Sequence, residues 1–342
     1  MSQRTCGGCG RTLQPWHDYC DEEFLPRMAA YANKFLLWDE NLQEIPNDNH
    51  LADDKQPLIL VTQDELILNA NNGKHFIWIH PDHQPLRKKR RGQGLHVSDF
   101  LTPIGRLGHG DACVIMKCGG DISWTGDRLL DQVIQKAIPA FEAQFPGCKA
   151  LFAFDNSRNH CKFVTDALRV SEMNLEPGGK SARLMRDTYV LDINHPAGGY
   201  IQSLQLPNGI PKGLRKGLLE PGLWPDNRRF LAQWSIKSTT GMSAKPNPRC
   251  PDGGSCCTRA LLGAQSGIRT QKNQNEETII KAAHEVIYYP AFHCEINFIE
   301  YFWGAAKHYT HERCEYDFES LKPMVPEALA IKSVDLEVLG MY

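Results

Sequence analysis

The chain has 342 residues, 42% of them hydrophobic, with 38 Lys and Arg against 40 Asp and Glu for a formal net charge of −2. That is enough apolar material for one large domain or two ordinary ones, and it excludes disordered, collagen-like and coiled-coil classes. Apolar runs such as Leu58 to Val61 and Ala150 to Phe154 are too short to cross a membrane, the residues after Met1 lack a secretory stretch, and the balanced charge gives no global reason to expect a polyanionic partner.

Residues 1–23 are rich in Gly, Cys and charge. Cys6, Cys9, His17 and Cys20 have a C-x2-C-x7-H-x2-C spacing that could close on one zinc, with Gly7, Gly8 and Gly10 permitting the turn. Cys250, Cys256 and Cys257 are a weaker second group, and buried or spare thiols are the default for all these cysteines in a reducing compartment. Phe24 to Glu40 has helical spacing, with Pro26 in its first turn. Asn47 to Gln56 is a polar connector. Leu58 to Val61 opens a strand that is apolar on both faces and therefore central in its sheet. Further strands are expected at Lys74 to His80, Gly94 to Leu101 and Ala112 to Met116.

Trp124 to Phe145 carries Leu129, Leu130, Val133, Ile134, Ala137, Ile138 and Phe141 at helical spacing, and Pro139 should kink or split that helix. A buried strand follows at Leu151 to Phe154, then a helix at about Asn159 to Leu168. From about Ser171 to Gly267 the composition shifts to Gly, Pro, Asn and Arg, which reads as an insertion of scattered short elements rather than a second compact core. A helix near Glu276 to Ala283, a strand at Val286 to Tyr289 and a helix from Glu295 to His311 complete an α/β pattern.

Three acids sit in unusual contexts. Asp64 lies on the central strand, Asp155 directly ends the strand Leu151 to Phe154, and Glu300 lies on the helix after the last strand. Carboxylates at the ends of buried strands are costly unless paired, hydrogen-bonded or bound to metal, and two or three converging would form a hard, oxygen-only site suited to magnesium or manganese. Taken singly, each is more often an ordinary cap or solvated residue. Asp64 and Glu65 point to opposite faces of a strand, so only one of them can face a given site. Glu300 falls at the edge of the apolar face formed by Ile296, Ile299, Phe302, Trp303 and Ala306, whereas Glu295 suits the first turn.

The segments Val61-Thr62-Gln63-Asp64-Glu65 with Asn69-Ala70-Asn71, Val97-Ser98-Asp99-Phe100-Leu101, Phe154-Asp155-Asn156 with His160, and Phe292 to Gly304 resemble fungal DDE-superfamily endonucleases. These are similar to mariner-type transposases, whose final motif has the form N-x-I-E-x-x-W, here Asn297 to Trp303. The likeness spans about residues 24–330. It implies an RNase H-like fold, a mixed sheet flanked by helices, with a long insertion before the last strand and helix. Matched residue by residue, it implies Asp64, Asp155 and Glu300 as catalytic residues holding two Mg2+ or Mn2+ ions for cleavage and strand transfer of DNA. Asn156 and His160 could orient the second-metal region, or His160 could be an ordinary satisfied histidine beside a helix start. The chain departs from the pattern in its long interval between Asp155 and Glu300, and in Gln63, where relatives usually carry His.

The expected organisation is a Cys-rich and helical segment at 1–55, the first part of the core at 56–170, the insertion at 171–275, the last strand and catalytic helix at 276–330, and a tail at 331–342. The first segment is too short for the helix-turn-helix units that precede such cores, so a truncated DNA-binding region is expected. Arg87, Lys88, Lys89, Arg90 and Arg91 form a basic run that could grip DNA phosphates or direct nuclear import. The implied partners are DNA, as transposon ends and target, and a second copy in a homodimer, with the nucleus as compartment. The alternative function is a catalytically degenerate, transposase-derived DNA-binding protein that keeps the fold and the basic loop.

Overall fold

A computed structural model describes residues 19–39, 41–45, 56–73, 88–119, 123–157, 160, 162–179, 182–191, 199–224, 258–291 and 293–330. The elements, in chain order, begin with a π-helical turn at Cys20–Phe24, helix α1 (Leu25–Ala32) and short strands β1 (Leu37–Trp38) and β2 (Glu44–Ile45). Strands β3 (Leu58–Asn69), β4 (Gly94–Thr102), β5 (Gly105–Arg106) and β6 (Val114–Lys117) follow. Helices α2 (Gly126–Gln132) and α3 (Ile138–Gln144) and strand β7 (Lys149–Phe154) come next. Then come β8 (Thr188–Leu191), β9 (Gly199–Gln202), α4 (Leu214–Leu219), α5 (Thr258–Gly263) and α6 (Ser266–Arg269). The chain closes with α7 (Gln274–Lys281), β10 (Glu285–Tyr288), α8 (Ile299–Glu312) and α9 (Phe318–Leu329).

Two compact units result: Met1–Lys162 with Gln274–Tyr342, and Phe163–Asn273. In the first, a mixed sheet runs in the order β10-β7-β3-β4-β5, with β6 also on β4. β3 pairs antiparallel with β4 and parallel with β7, and β7 pairs parallel with β10. β3 is therefore central, as its two-sided apolar run predicts, and it is longer than that run. Ile59, Val61, Phe100, Phe152 and Phe154 pack against Leu129, Val133, Phe141 and Ile279 of the helices on one face. On the other, Leu66, Leu68 and Val97 pack against Ile299, Phe302, Trp303 and Val325. Leu58, Leu151 and Ile287 cover the same side nearer Phe24 and Met28. Helices thus flank both faces, each burying the strand residues of one parity.

Several elements differ from expectation for local reasons. The helix predicted over Phe24 to Glu40 stops at Ala32, because the next stretch joins the sheet: Leu58 N–H donates to the Lys34 carbonyl at 2.8 Å, and Leu36 N–H to the Leu58 carbonyl at 3.0 Å. The helix over Trp124 to Phe145 is interrupted by a π-turn at Val133–Ala137, where Ile138 N–H reaches Val133 O, and α3 restarts with Pro139 in its first turn. Pro139 lacks the N–H that a continuous helix needs, and the wider turn absorbs the gap. Ala112 to Met116 becomes Val114–Lys117, since Cys113 N–H closes a turn onto Gly110 O at 3.0 Å.

Among the described residues of Asn159 to Leu168 there is a turn and no helix; Ala167 and Leu168 are buried. The Lys74 to His80 strand lies outside the described residues. Helix α9 was not anticipated, although Asp317 caps it through Ser320 N–H at 2.8 Å and Leu321, Val325, Ala328 and Leu329 fall on one face. Pro323 and Pro326 within it mask that pattern.

The second unit has the short elements expected of residues 171–267. It differs in having its own apolar cluster: Leu168, Met173, Met185, Leu204, Leu214, Leu218, Leu262 and Ile268. Its β8–β9 hairpin pairs Thr188 with Gln202 and Leu191 with Gly199.

Candidate active site

The alternation of β3 divides its two neighbouring acids between the faces of the sheet. Asp64 shares a side with Leu66 and Leu68, hence with α8, while Glu65 faces the side of Trp124. Asp64 Oδ1 accepts from the Glu65 backbone N–H at 2.7 Å, and Oδ2 accepts from Asn297 Nδ2 at 3.3 Å. Asn297 lies in the break between a 3-10 turn at Cys294–Ile296 and α8, so the expected continuous helix from Glu295 to His311 is split where this side chain reaches back to β3. Glu300 N–H donates to Asn297 O at 3.0 Å, which places Glu300 in the first turn of α8. Glu295, expected there, is instead exposed and paired with His293 Nδ1 at 2.6 Å.

Asp64 is 8% exposed. Burial pushes its carboxyl up to about 8; the charges of Glu300, Glu65 and Asp155 push the same way, opposed by the hydrogen bond from Glu65 N–H. The charges of Glu300 and Asp155 thus both reach Asp64 and oppose its ionisation.

Asp155 follows β7 directly. Its Oδ1 accepts from Ser157 N–H at 3.2 Å and is ion-paired with His160 Nδ1, which also lies 3.1 Å from the Asp155 carbonyl. Burial raises the Asp155 carboxyl, but the hydrogen bond and charge of His160, with help from Ser157, outweigh it and leave the group below its ordinary value.

His160 is fully buried, and its Nε2 lies 2.9 Å from Glu65 Oε1. That oxygen also accepts from Trp124 Nε1 at 2.8 Å and Gln63 Nε2 at 3.1 Å. Burial opposes charge on His160, yet its bonds to Asp155 and Glu65 and their charges raise it to about 10, so the ring is an imidazolium. Burial likewise raises Glu65, and the bond and charge of His160, together with Gln63, lower it overall. Gln63 donates at 3.0 Å to Ser98 Oγ, which donates at 2.7 Å to Gln132 Oε1. In the sequence Glu65 stands only as a rival to Asp64, because alternation along a strand cannot show that a residue past the end of another strand reaches the opposite face. The spacing of Asp155 and His160 was the available signal.

Asp99 pairs in register with Asp64 and is also buried. Arg106 Nε pairs with it at 2.6 Å, and Nη1 of the same guanidinium donates to the Leu329 carbonyl at 3.2 Å, a structural ion pair that joins β4 to α9.

Among the described residues, no group of three or more His, Cys, Asp or Glu side chains stands gathered to hold a metal ion. The donors nonetheless suit a hard divalent cation in kind. Asp155 Oδ2 and the Glu300 carboxylate have no protein partner among the described residues, and Asn297 Oδ1, beside Asp64, is buried and unpartnered. All are oxygens, the ligands that magnesium and manganese prefer.

The basic run is not part of this cluster. Lys88, Lys89, Arg90 and Arg91 are exposed beyond Asn69 at the end of β3, five residues and roughly 16 Å of strand from Asp64. Lys88 Nζ donates to the Tyr316 carbonyl, and Asn71 binds the carbonyls of Arg90 and Arg91 at 2.8 and 2.9 Å. Arg87, Cys6, Cys9, His17 and the second cysteine group lie outside the described residues. Cys20 sits half-buried in the π-turn, its thiol raised by burial and by the charges of Asp21 and Glu295.

No protein-family model matches the chain, and no curated protein does. Among solved structures, it is similar to the Mos1 transposase paired-end complex with left transposon end, at 18% identity over 30% of this chain and 29% of that one, with a TM-score of 0.23. It is also similar to the mariner Mos1 paired end complex with Mn, at 20% identity over 30% of each chain and a TM-score of 0.24. The chain thus spans under a third of the length of these structures.

Proposed function

We propose that the first unit is an RNase H-like core and that the chain is a transposase-like DDE endonuclease, cleaving and joining DNA phosphodiesters with Asp64, Asp155 and Glu300. The observation that carries this reading is the hydrogen bond from Asn297 to Asp64, which ties the start of α8 to β3, the strand whose parallel neighbour β7 is followed directly by Asp155. Residues 163–273 stand in the chain where the long insertion is expected.

Asp64, Asp155 and Glu300 are the residues that would hold Mg2+ or Mn2+. Two such ions, when bound, supply Lewis acidity that lowers the pKa of an attacking water or 3′-hydroxyl and stabilises the leaving oxygen. The protein's own part is positional: Asn297 orients Asp64, and the packed face of α8 fixes Glu300. No side chain need act as nucleophile. The partners in this reading are DNA, as transposon ends and target, and a second copy of the chain. Lys88 to Arg91, with Arg87, bind phosphate, and the compartment is the nucleus.

One observation favours a second reading, a catalytically degenerate DNA-binding protein: Asp155 is already neutralised by His160. Nicking of supercoiled duplex DNA in Mg2+ or Mn2+ separates the two. The endonuclease requires metal-dependent nicking that Asp64→Ala, Asp155→Ala and Glu300→Ala each abolish; nicking unchanged by these substitutions refutes the assignment.

A further inference from the structure

We propose that His160 is a positioning residue that presents Asp155 to a divalent cation, anchored for that task by Glu65. The inference rests on the endonuclease reading and goes beyond it, since it gives Glu65 and His160 roles distinct from those of the three acids.

Asp155 lies past the last hydrogen-bonded residue of β7, and its side chain is 44% exposed. A carboxylate there would ordinarily sample several rotamers. His160 Nδ1 removes that freedom by engaging both the carbonyl and Oδ1 of Asp155, and Ser157 N–H binds the same Oδ1. Among the described residues, both partners of the carboxylate fall on Oδ1. Oδ2 is left as the free ligand atom, with its direction set by the ring.

The ring is itself immobilised. Its backbone carbonyl accepts from Asn275 Nδ2 at 3.2 Å, Phe154 packs against it at 5.6 Å between centroids, and Nε2 is bound by Glu65. Glu65 is in turn held by Trp124 and Gln63, and Gln63 by Ser98 and Gln132. Gln132 Nε2 ends the chain on the carbonyls of Ser98 and Ala112, at 3.0 and 2.8 Å. A continuous hydrogen-bonded path therefore runs from α2 through β4 and β3 to the exposed carboxylate. Such outer partners fix ligand orientation, and removing one typically costs roughly 10–100-fold in metal affinity or activity.

The geometry separates two substitutions. The amide nitrogen of Asn can take the place of Nδ1, so His160→Asn keeps the bond to Asp155 and loses Glu65; His160→Ala loses both. Mn2+ binding to the full chain, read from the free-ion signal in electron paramagnetic resonance, is compared for wild type, Asp64→Asn, His160→Ala and His160→Asn, with near-ultraviolet circular dichroism as the check on folding. We expect His160→Ala to weaken binding about 10-fold or more and His160→Asn to recover most of the loss, with the nicking defect of His160→Ala relieved by raised Mn2+. Should His160→Ala misfold, His160→Gln, whose amide can stand in for Nε2 toward Glu65 but not for Nδ1 toward Asp155, takes its place: binding weakened more than about threefold in His160→Gln and not in His160→Asn supports the role, and any other result overturns it. If Mn2+ binding is lost in Asp64→Asn yet unchanged in a folded His160→Ala, the positioning role is wrong and the endonuclease reading stands. If wild type binds no Mn2+, both fail together.

Discussion

Asn297 Nδ2 donates to Asp64 Oδ2 at 3.3 Å across 233 residues of chain. The bond is the polar part of an otherwise apolar seam between β3 and α8, where Leu66 and Leu68 meet Ile299, Phe302 and Trp303. It marks the point at which the buried carboxyl depends on a residue outside its own strand.

Asp64 should make the metal-free protein less stable as pH rises. Its pKa is about 8 folded against about 4 unfolded. An acid raised on folding contributes stability below its unfolded pKa, and that contribution is lost as pH climbs through the folded value. Asp64→Asn removes the loss, and at about 1.4 kcal/mol per pKa unit it should stabilise the protein by more than about 1 kcal/mol at pH 8.5 relative to pH 4.5. Urea denaturation in a chelator at the two pH values measures this; equal effects at both contradict it.

The Glu65–His160–Asp155 network should be sensitive to pH at both ends. Glu65 and Asp155 are lowered on folding, so their contribution is present above about pH 4.5 and lost as acid protonates them. His160 is raised to about 10, so its contribution is complete below about pH 6.5 and lost as pH rises through 10. Between pH 8.5 and 10, above the range of Asp64, the thermal midpoint of wild type should fall more steeply than that of His160→Gln. Parallel slopes would mean that the ring carries no extra proton.

Trp303 is fully buried at the centre of the α8 seam. Trp303→Ala should destabilise the first unit by about 3–5 kcal/mol through lost burial and a residual cavity. Trp303→Phe should cost less, because Phe refills much of the cavity and the indole Nε1 has no hydrogen-bond partner to lose among the described residues. Chemical denaturation of both variants gives the comparison, and an equal cost would contradict the packing account.

Lys89, Arg90 and Arg91 are exposed on a turn pinned by Asn71. If they contact phosphates, changing all three to Gln should weaken duplex binding and flatten the salt dependence of log K by up to about 3, near 0.9 per contact. An unchanged slope in a fluorescence anisotropy titration across salt concentrations would assign them to a solvated turn.

Much of the first unit was legible because burial writes itself into periodicity. Leu58 to Val61 is apolar on both faces, and the strand it opens lies between β7 and β4. The helical spacing from Leu129 to Phe141 likewise predicts the helical layer packed on Phe100 and Phe152. The Phe24 helix overran because its last residues give their backbone hydrogen bonds to Leu58, a long-range competition that propensity does not contain. Helix α9 was hidden by two prolines, and the apolar cluster of the second unit by a loop-like composition that spreads its Leu and Met residues too thinly to show a period.

By itself the sequence determined the α/β class, the central strand and three acids in unusual contexts, since each depends on local pattern or on the cost of placing charge beside buried strands. Only the tertiary structure decided how those acids are held. Asp64 and Glu65 are adjacent in sequence yet serve different neighbours, Asn297 on one side and His160 on the other, because alternation sends them to opposite faces of one strand. Asp155 meets the partner of Glu65 because it lies beyond its strand, where alternation no longer constrains it. Net charge shows none of this: −2 is a sum over the whole chain, whereas the state of each carboxyl is set by burial and by the few groups within hydrogen-bonding reach.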